Sequence, residues 1–165
     1  MIAPWSLRPV EEASLFNPAF GALLLARAAA DYYKQAGQGL PYPLIFLVMP
    51  AVLHSETRHA LPATTRAVMH NWTSDHTSLL AAFPNRARRM APVTKEAVLF
   101  GLFHEKLAIS DGRLSPGRRP YRGNALPADT TDEVEHCARA AALLGRWFTS
   151  AGSTATILSS WGVRP

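Results

Sequence analysis

The chain predicts a mainly α fold: a compact helical domain with a winged-helix-like unit containing one β-hairpin. Three observations carry this. Apolar residues recur at helical spacing in most segments. Several of those segments open on Asn, Thr or Ser and close on Gly. One Asp-Gly pair, Asp111-Gly112, lies between two short alternating runs, a local hairpin signal. At 165 residues the chain suits a single domain over 1–165. A chain of this size buries about 70% of its unfolded surface, enough for a core.

Residues 1–8 form an N-terminal segment, and a short helix is expected from Pro9 to Leu15. Asn17-Pro18 opens the first strong helix, because Asn caps a helix and Pro at the first position lacks an N–H that would go unbonded anyway. Phe20, Leu23, Leu24, Ala28 and Tyr32 follow at helical spacing, and Gly37 and Gly39 should stop it. Tyr42 to His54 is almost wholly apolar. Periodicity leaves two readings for residues 44–49: a buried helix kinked or restarted at Pro50, which is favoured, and a strand over Leu44–Val48. Thr64 or Thr65 then caps a helix carrying Val68, Met69 and Trp72.

The winged-helix-like unit spans 79–115. It consists of a helix over Leu79–Met90, a second over Pro92–Glu105 and the hairpin at Leu107–Ser115. Val93, Ala97, Phe100, Leu102 and Phe103 should face inward on the second helix. Residues 116–131 are rich in Pro, Gly and Arg and read as an extended loop. Residues 132–165 supply the C-terminal helices. Thr131 caps the first, with Glu133 and Glu135 near its positive end and Val134, Ala138, Ala141, Leu144 and Phe148 as its apolar stripe. Gly152 ends it, and Ser153 caps a short closing helix that Gly162 stops.

The composition is 48% hydrophobic and only 18% charged, against a usual charged fraction of about 25%. A surface poor in charge hints at a buried partner interface. The net charge of +5 rests on 14 Arg and 3 Lys. Arginine suits interfaces because its planar fork binds carboxylate and phosphate bidentately, although a GC-rich genome would produce the same enrichment. The one cysteine, Cys137, permits neither a disulfide framework nor a cysteine-based zinc site, which points to a reducing cytoplasm. Met1 to Leu7 does not read as a signal peptide. The longest apolar run, Pro43 to Leu53, is far short of the ~20 residues of a spanning helix, so no membrane role is expected.

No constellation of residues points to catalysis, a cofactor or a metal. His54, Glu56 and His59 lack the spacing of a zinc-protease helix, and His70 and His76 are too far apart for one helical face. His136 and Cys137 are sequence neighbours, so in a helix they point apart and share no proton easily. No phosphate-binding glycine loop and no nucleophile elbow is present, and nothing points to a small-molecule ligand. The expectation is a non-enzyme; a small hydrolase using His54 or His136 is a weaker option.

Two basic clusters are the candidate contacts with nucleic acid or a partner protein. Arg86, Arg88 and Arg89 fall on the first helix of the winged unit. Arg113, Arg118, Arg119 and Arg122, with Tyr121 among them, fall on the wing and the following loop. In a winged helix both places could approach a duplex backbone. The alternatives are a solvated loop or docking on an acidic protein. Trp5 is a candidate partner anchor. Trp147 and Trp161 suit either a docking surface or the core.

Several segments together resemble a known family. They are Arg8-Pro9 with Glu11 and Glu12; Asn17-Pro18-Ala19-Phe20; Leu40-Pro41-Tyr42-Pro43-Leu44; Leu53-His54 with Thr57-Arg58; Phe100-Gly101; Leu144-Gly145-Arg146-Trp147-Phe148; and Trp161-Gly162-Val163-Arg164-Pro165. From Arg8 to Pro165 the chain resembles the middle component of bacterial three-component ABC systems. The resemblance implies a non-enzymatic adaptor, or coupling subunit, with no catalytic residues. Its implied partners are an ABC-type ATPase of the chromosome-maintenance and DNA-repair kind and an effector protein, in defence against phages and plasmids. The Arg113–Arg122 region lies outside the matching segments, so a DNA contact there rests on physics alone. A winged-helix DNA-binding regulator is the alternative.

Overall fold

A computed structural model describes residues 3–123 and 126–164, without the side chains of Trp5, Glu12, Ser14 and Leu15. Helices dominate. After a single 3-10 turn at Trp5–Leu7 come α1 (Val10–Leu15), α2 (Pro18–Ala36), α3 (Ile45–Val52), α4 (Ser55–Ala60), α5 (Met69–Asp75), α6 (Thr77–Leu80), α7 (Phe83–Phe103), α8 (Asp132–Phe148) and α9 (Thr154–Ser160). Strands β1 (Leu40–Pro41), β2 (Leu107–Ser110) and β3 (Arg113–Pro116) make an antiparallel sheet in the order β1-β3-β2. Among the described residues no helix is long and apolar enough to cross a membrane.

Helix α2 organises the core. Asn17 accepts a hydrogen bond from the Ala19 N–H at 2.8 Å, and Gly37 closes the helix at φ +69°, its N–H bonded to the Tyr33 carbonyl. Both ends lie where the capping residues place them. Along its length α2 packs against α7, α8, α3 and the hairpin. Small residues permit the close crossings. A Cβ at Gly21 would meet the Ala97 Cβ of α7 at 2.7 Å, and a Cβ at Gly145 of α8 would fall on the Ala28 carbonyl of α2.

The apolar stretch resolves as helix. Tyr42–Leu44 is a 3-10 turn, and α3 runs through Pro50 without restarting, with Ile45, Leu47, Val48, Met49, Ala51 and Val52 buried. Burial on all sides explains why its pattern has no period.

The unit before the hairpin divides differently from expectation. The break falls at Ala81–Ala82, ahead of Pro84, and α7 continues through Pro92 to Phe103. The order helix, helix, hairpin remains, but the first helix is the single turn α6, and Arg86, Arg88 and Arg89 belong to the long second one. Pro84 sits in the first turn, where its missing N–H costs nothing. The hairpin turn is as the sequence predicts: Asp111 and Gly112 both have positive φ, +52° and +69°, the conformation of a type I′ turn. Leu107 and Leu114, with Leu40 opposite Leu114, anchor the sheet to the core.

Thr131 and Ser153 accept from the N–H groups of Val134 and Thr156, capping α8 and α9. Helix α5 begins at Met69, later than a cap at Thr64 or Thr65 would place it. Trp147 and Trp161 are core residues, which removes them as docking anchors. Trp72 lies with its ring 5.6 Å from Trp147 and 5.4 Å from Trp161, and Trp161 is 4.8 Å from Phe83. Each indole N–H has a partner: Trp72 the Ala60 carbonyl, Trp147 the Ala67 carbonyl and Trp161 the Met69 sulfur. That is what lets three large amphipathic rings be buried together.

Candidate partner interface

The last carbonyls of α3 point away from the helix with no intrahelical donor, as at every helix C-terminus. Here arginines serve them. Arg86 donates from Nε to the Pro50 carbonyl at 3.1 Å and from Nη2 to Thr57 Oγ1 at 3.0 Å, with its guanidinium 5.2 Å above the Phe83 ring. Arg58, 3% exposed, donates from Nη1 to the Val52 carbonyl at 2.7 Å and from Nη2 to Glu133 at 3.1 Å. Its Nε donates to His136 Nδ1 at 3.4 Å. Two cations at a negative helix end also suit the dipole.

The histidines singled out in sequence belong to the same network. The Thr57 hydroxyl accepts from Arg86 and lies 2.9 Å from His54 Nδ1, while His54 Nδ1 also accepts from the Thr57 N–H and caps α4. Burial, then the nearby Arg86 charge, holds the His54 pKa below its ordinary value. His136 is depressed by burial and then by Arg58; its ring meets His59 edge to face at 4.7 Å. Burial pushes the Cys137 thiol up, the reverse of what an activated nucleophile needs. Its sulfur lies 3.8 Å from the Val52 carbonyl. Among the described residues no group of three or more His, Cys, Asp or Glu is placed to hold a metal ion.

The predicted arginines separate by environment. Arg86 turns inward, whereas Arg88 and Arg89 on the same helix are exposed. Arg113 of β3 donates to the Gly39 carbonyl at 3.0 Å and so ties the wing to β1. Arg118 and Arg119 come together on one carboxylate, Glu105, the second at 3.2 Å. Tyr121 is half-buried beneath Lys106, whose ammonium stands 5.1 Å from the ring, and Arg122 is exposed. The side chain of Trp5 lies outside the described residues.

Two surfaces were not anticipated. The first is apolar. Phe103, expected inward, is 83% exposed, and Leu99, one helical turn before it, is 64% exposed. Phe103 lies six residues after Ala97, about 240° round the helix, so it shares the solvent face of α7 with Arg89, Pro92 and Leu99 and not the stripe that buries Val93, Ala97 and Gly101. The buried Arg8, paired with Glu96 of α7 at 2.5 Å, brings the exposed Leu7 and Val10 to the same helix.

The second surface is basic. Two depressions of about 690 Å³ and 610 Å³ flank α2 and share Arg27, Asp31 and Arg146. Their linings also bring in Arg58, Arg139, Lys34 and Lys106. Arg27, which lines both, donates to the Gly123 carbonyl. Part of this was readable: Arg27, Asp31 and Lys34 recur at four and three residues on α2, and Arg139 and Arg146 at seven on α8, so each set shares a helical face. That the two faces meet is tertiary information.

No curated protein and no solved structure matches the chain. A family model described as "ABC-three component (ABC-3C) system Middle Component 3" matches residues 5–165. The match takes in the capped α2, the arginine-served end of α3, the long α7 and the groove-lining α8, and the chain therefore belongs to this family of ABC-three component system middle components.

Proposed function

We propose that the protein is a non-enzymatic adaptor that couples an ABC-type ATPase of the chromosome-maintenance and repair kind to an effector protein in a bacterial antiphage system. The observation that carries this reading is membership of the middle-component family over residues 5–165. Two features support it. The histidines, the cysteine and the most buried arginines of the α3 end are engaged in holding the fold. An adaptor also needs separate surfaces for separate partners, and the Leu99–Phe103 face and the basic depressions share no residue.

Co-expression with the proteins encoded beside it should give a complex that survives size exclusion. Leu99→Asp with Phe103→Asp, both at exposed positions, should leave the protein folded and remove one partner from the complex. A wild-type protein that elutes alone from every such co-expression overturns the proposal.

A further inference from the structure

We infer that the paired depressions along α2 form a docking groove for an acidic, amphipathic segment of a partner protein. This names the chemistry of one partner and rests on the adaptor reading only in assuming that a protein partner exists.

The argument is one of complementarity. The groove is lined by six Arg or Lys side chains and two carboxylates. Arg58 is committed to the Val52 carbonyl and Glu133, and Arg27 to the Gly123 carbonyl, which leaves Lys34, Lys106, Arg139 and the half-buried Arg146 as the cations nearest a ligand. The two carboxylates offset these cations only in part. Asp31 is paired with Arg146, and Glu135 meets Arg139 only at 3.8 Å between exposed side chains, a contact that contributes little and exchanges readily. Lys34 and Lys106 make no ion pair among the described residues. Beside the cations the larger depression has an apolar lining of Leu61, Pro62, Leu143 and Leu126 with alanines of α8.

Cationic and apolar side chains lining the same depression ask for a ligand that carries both chemistries. Ligand carboxylates would take bonds from Arg139 and Lys34, and leucine-like side chains would cover the apolar lining. A nucleic-acid backbone supplies only the first, and a rigid duplex contacts cations displayed outward, as at Arg88 and Arg89, rather than sunk in a concavity.

The test uses the full-length protein and fluorescence anisotropy. The probe is a fluorescein-labelled peptide repeating Glu-Glu-Leu, set beside a Glu-Glu-Gly repeat and a labelled DNA duplex. Binding of the Glu-Glu-Leu peptide, weaker binding of the Glu-Glu-Gly peptide and a steep loss with salt are expected. Lys34→Glu with Arg139→Glu should weaken it by about tenfold or more, and the milder Lys34→Gln with Arg139→Gln less so. Arg88→Glu with Arg89→Glu should change it by less than about twofold. No binding of the Glu-Glu-Leu peptide, equal loss in both charge-reversal variants, or a duplex that binds more tightly and is released by the groove variant would each overturn the proposal. Because this is a binary measurement with a peptide, its failure leaves the co-elution test of the adaptor reading untouched.

Discussion

Arg86 and Arg88 sit two residues apart on α7 and have opposite lives. Arg86 reaches inward, lies over Phe83 and donates to the Pro50 carbonyl; Arg88 is exposed. The same contrast separates Arg58, buried against the end of α3, from Arg118 and Arg119, which lean on Glu105 at the surface. A run of arginines in sequence is therefore not a patch. Where a helix ends inside the core, its carbonyls draw in whichever cation the packing brings within reach, because an unserved buried carbonyl is costly. That cation is then part of the fold, and only the remainder is available to a partner.

Substitution should separate the two sets. Arg58→Ala, which strips the Val52 carbonyl and Glu133 of their donor, should cost about 2–4 kcal/mol in urea unfolding. Arg86→Ala should cost less, about 1–3 kcal/mol, because Arg86 is only half-buried. If either proves neutral, the inward arginines are not structural and the contrast fails.

Acid should act through the same inward network. His54 and His136 are held neutral in the folded protein, each with Nδ1 accepting a hydrogen bond, while in the unfolded chain they take up a proton near the ordinary value of 6.5. Below that pH the unfolded state binds more protons, so stability is fully present above it and is lost as pH falls toward the depressed folded values. His54→Asn, which preserves the cap of α4, combined with His136→Gln should flatten the pH dependence; an unchanged slope would place the acid sensitivity elsewhere. The smallest effect is expected outside. Arg118→Ala with Arg119→Ala should move stability by no more than about 0.5 kcal/mol, and a larger change would mean that their hold on Glu105 fixes the loop.

Much of the framework was legible because its signals are local. Asn17-Pro18, Thr131 and Ser153 cap helices through their own side chains, Gly37 ends α2, and Asp111-Gly112 turns the hairpin. The misplacements have different causes. Pro92 looked like a break, yet α7 runs through it, packed against α2 and α3. Phe103 is apolar like Val93 and Ala97, but helical geometry puts it on the opposite face, with the exposed Leu99. Trp147 and Trp161, which suited either a docking surface or the core, are central, packed edge-on and tilted against Trp72.

Alone, the amino-acid order determined the ends of α2 and the starts of α8 and α9, which stretch is buried, the Asp111-Gly112 hairpin, and the kinship with three-component middle components. Those properties depend on side chains reaching their own backbone or on motifs read along the chain. Only the tertiary arrangement decided which arginines serve buried carbonyls and which line the groove beside α2. That choice depends on distances between residues far apart in sequence, such as the 2.7 Å from Arg58 to the Val52 carbonyl and the meeting of Arg27 with Gly123 across the fold.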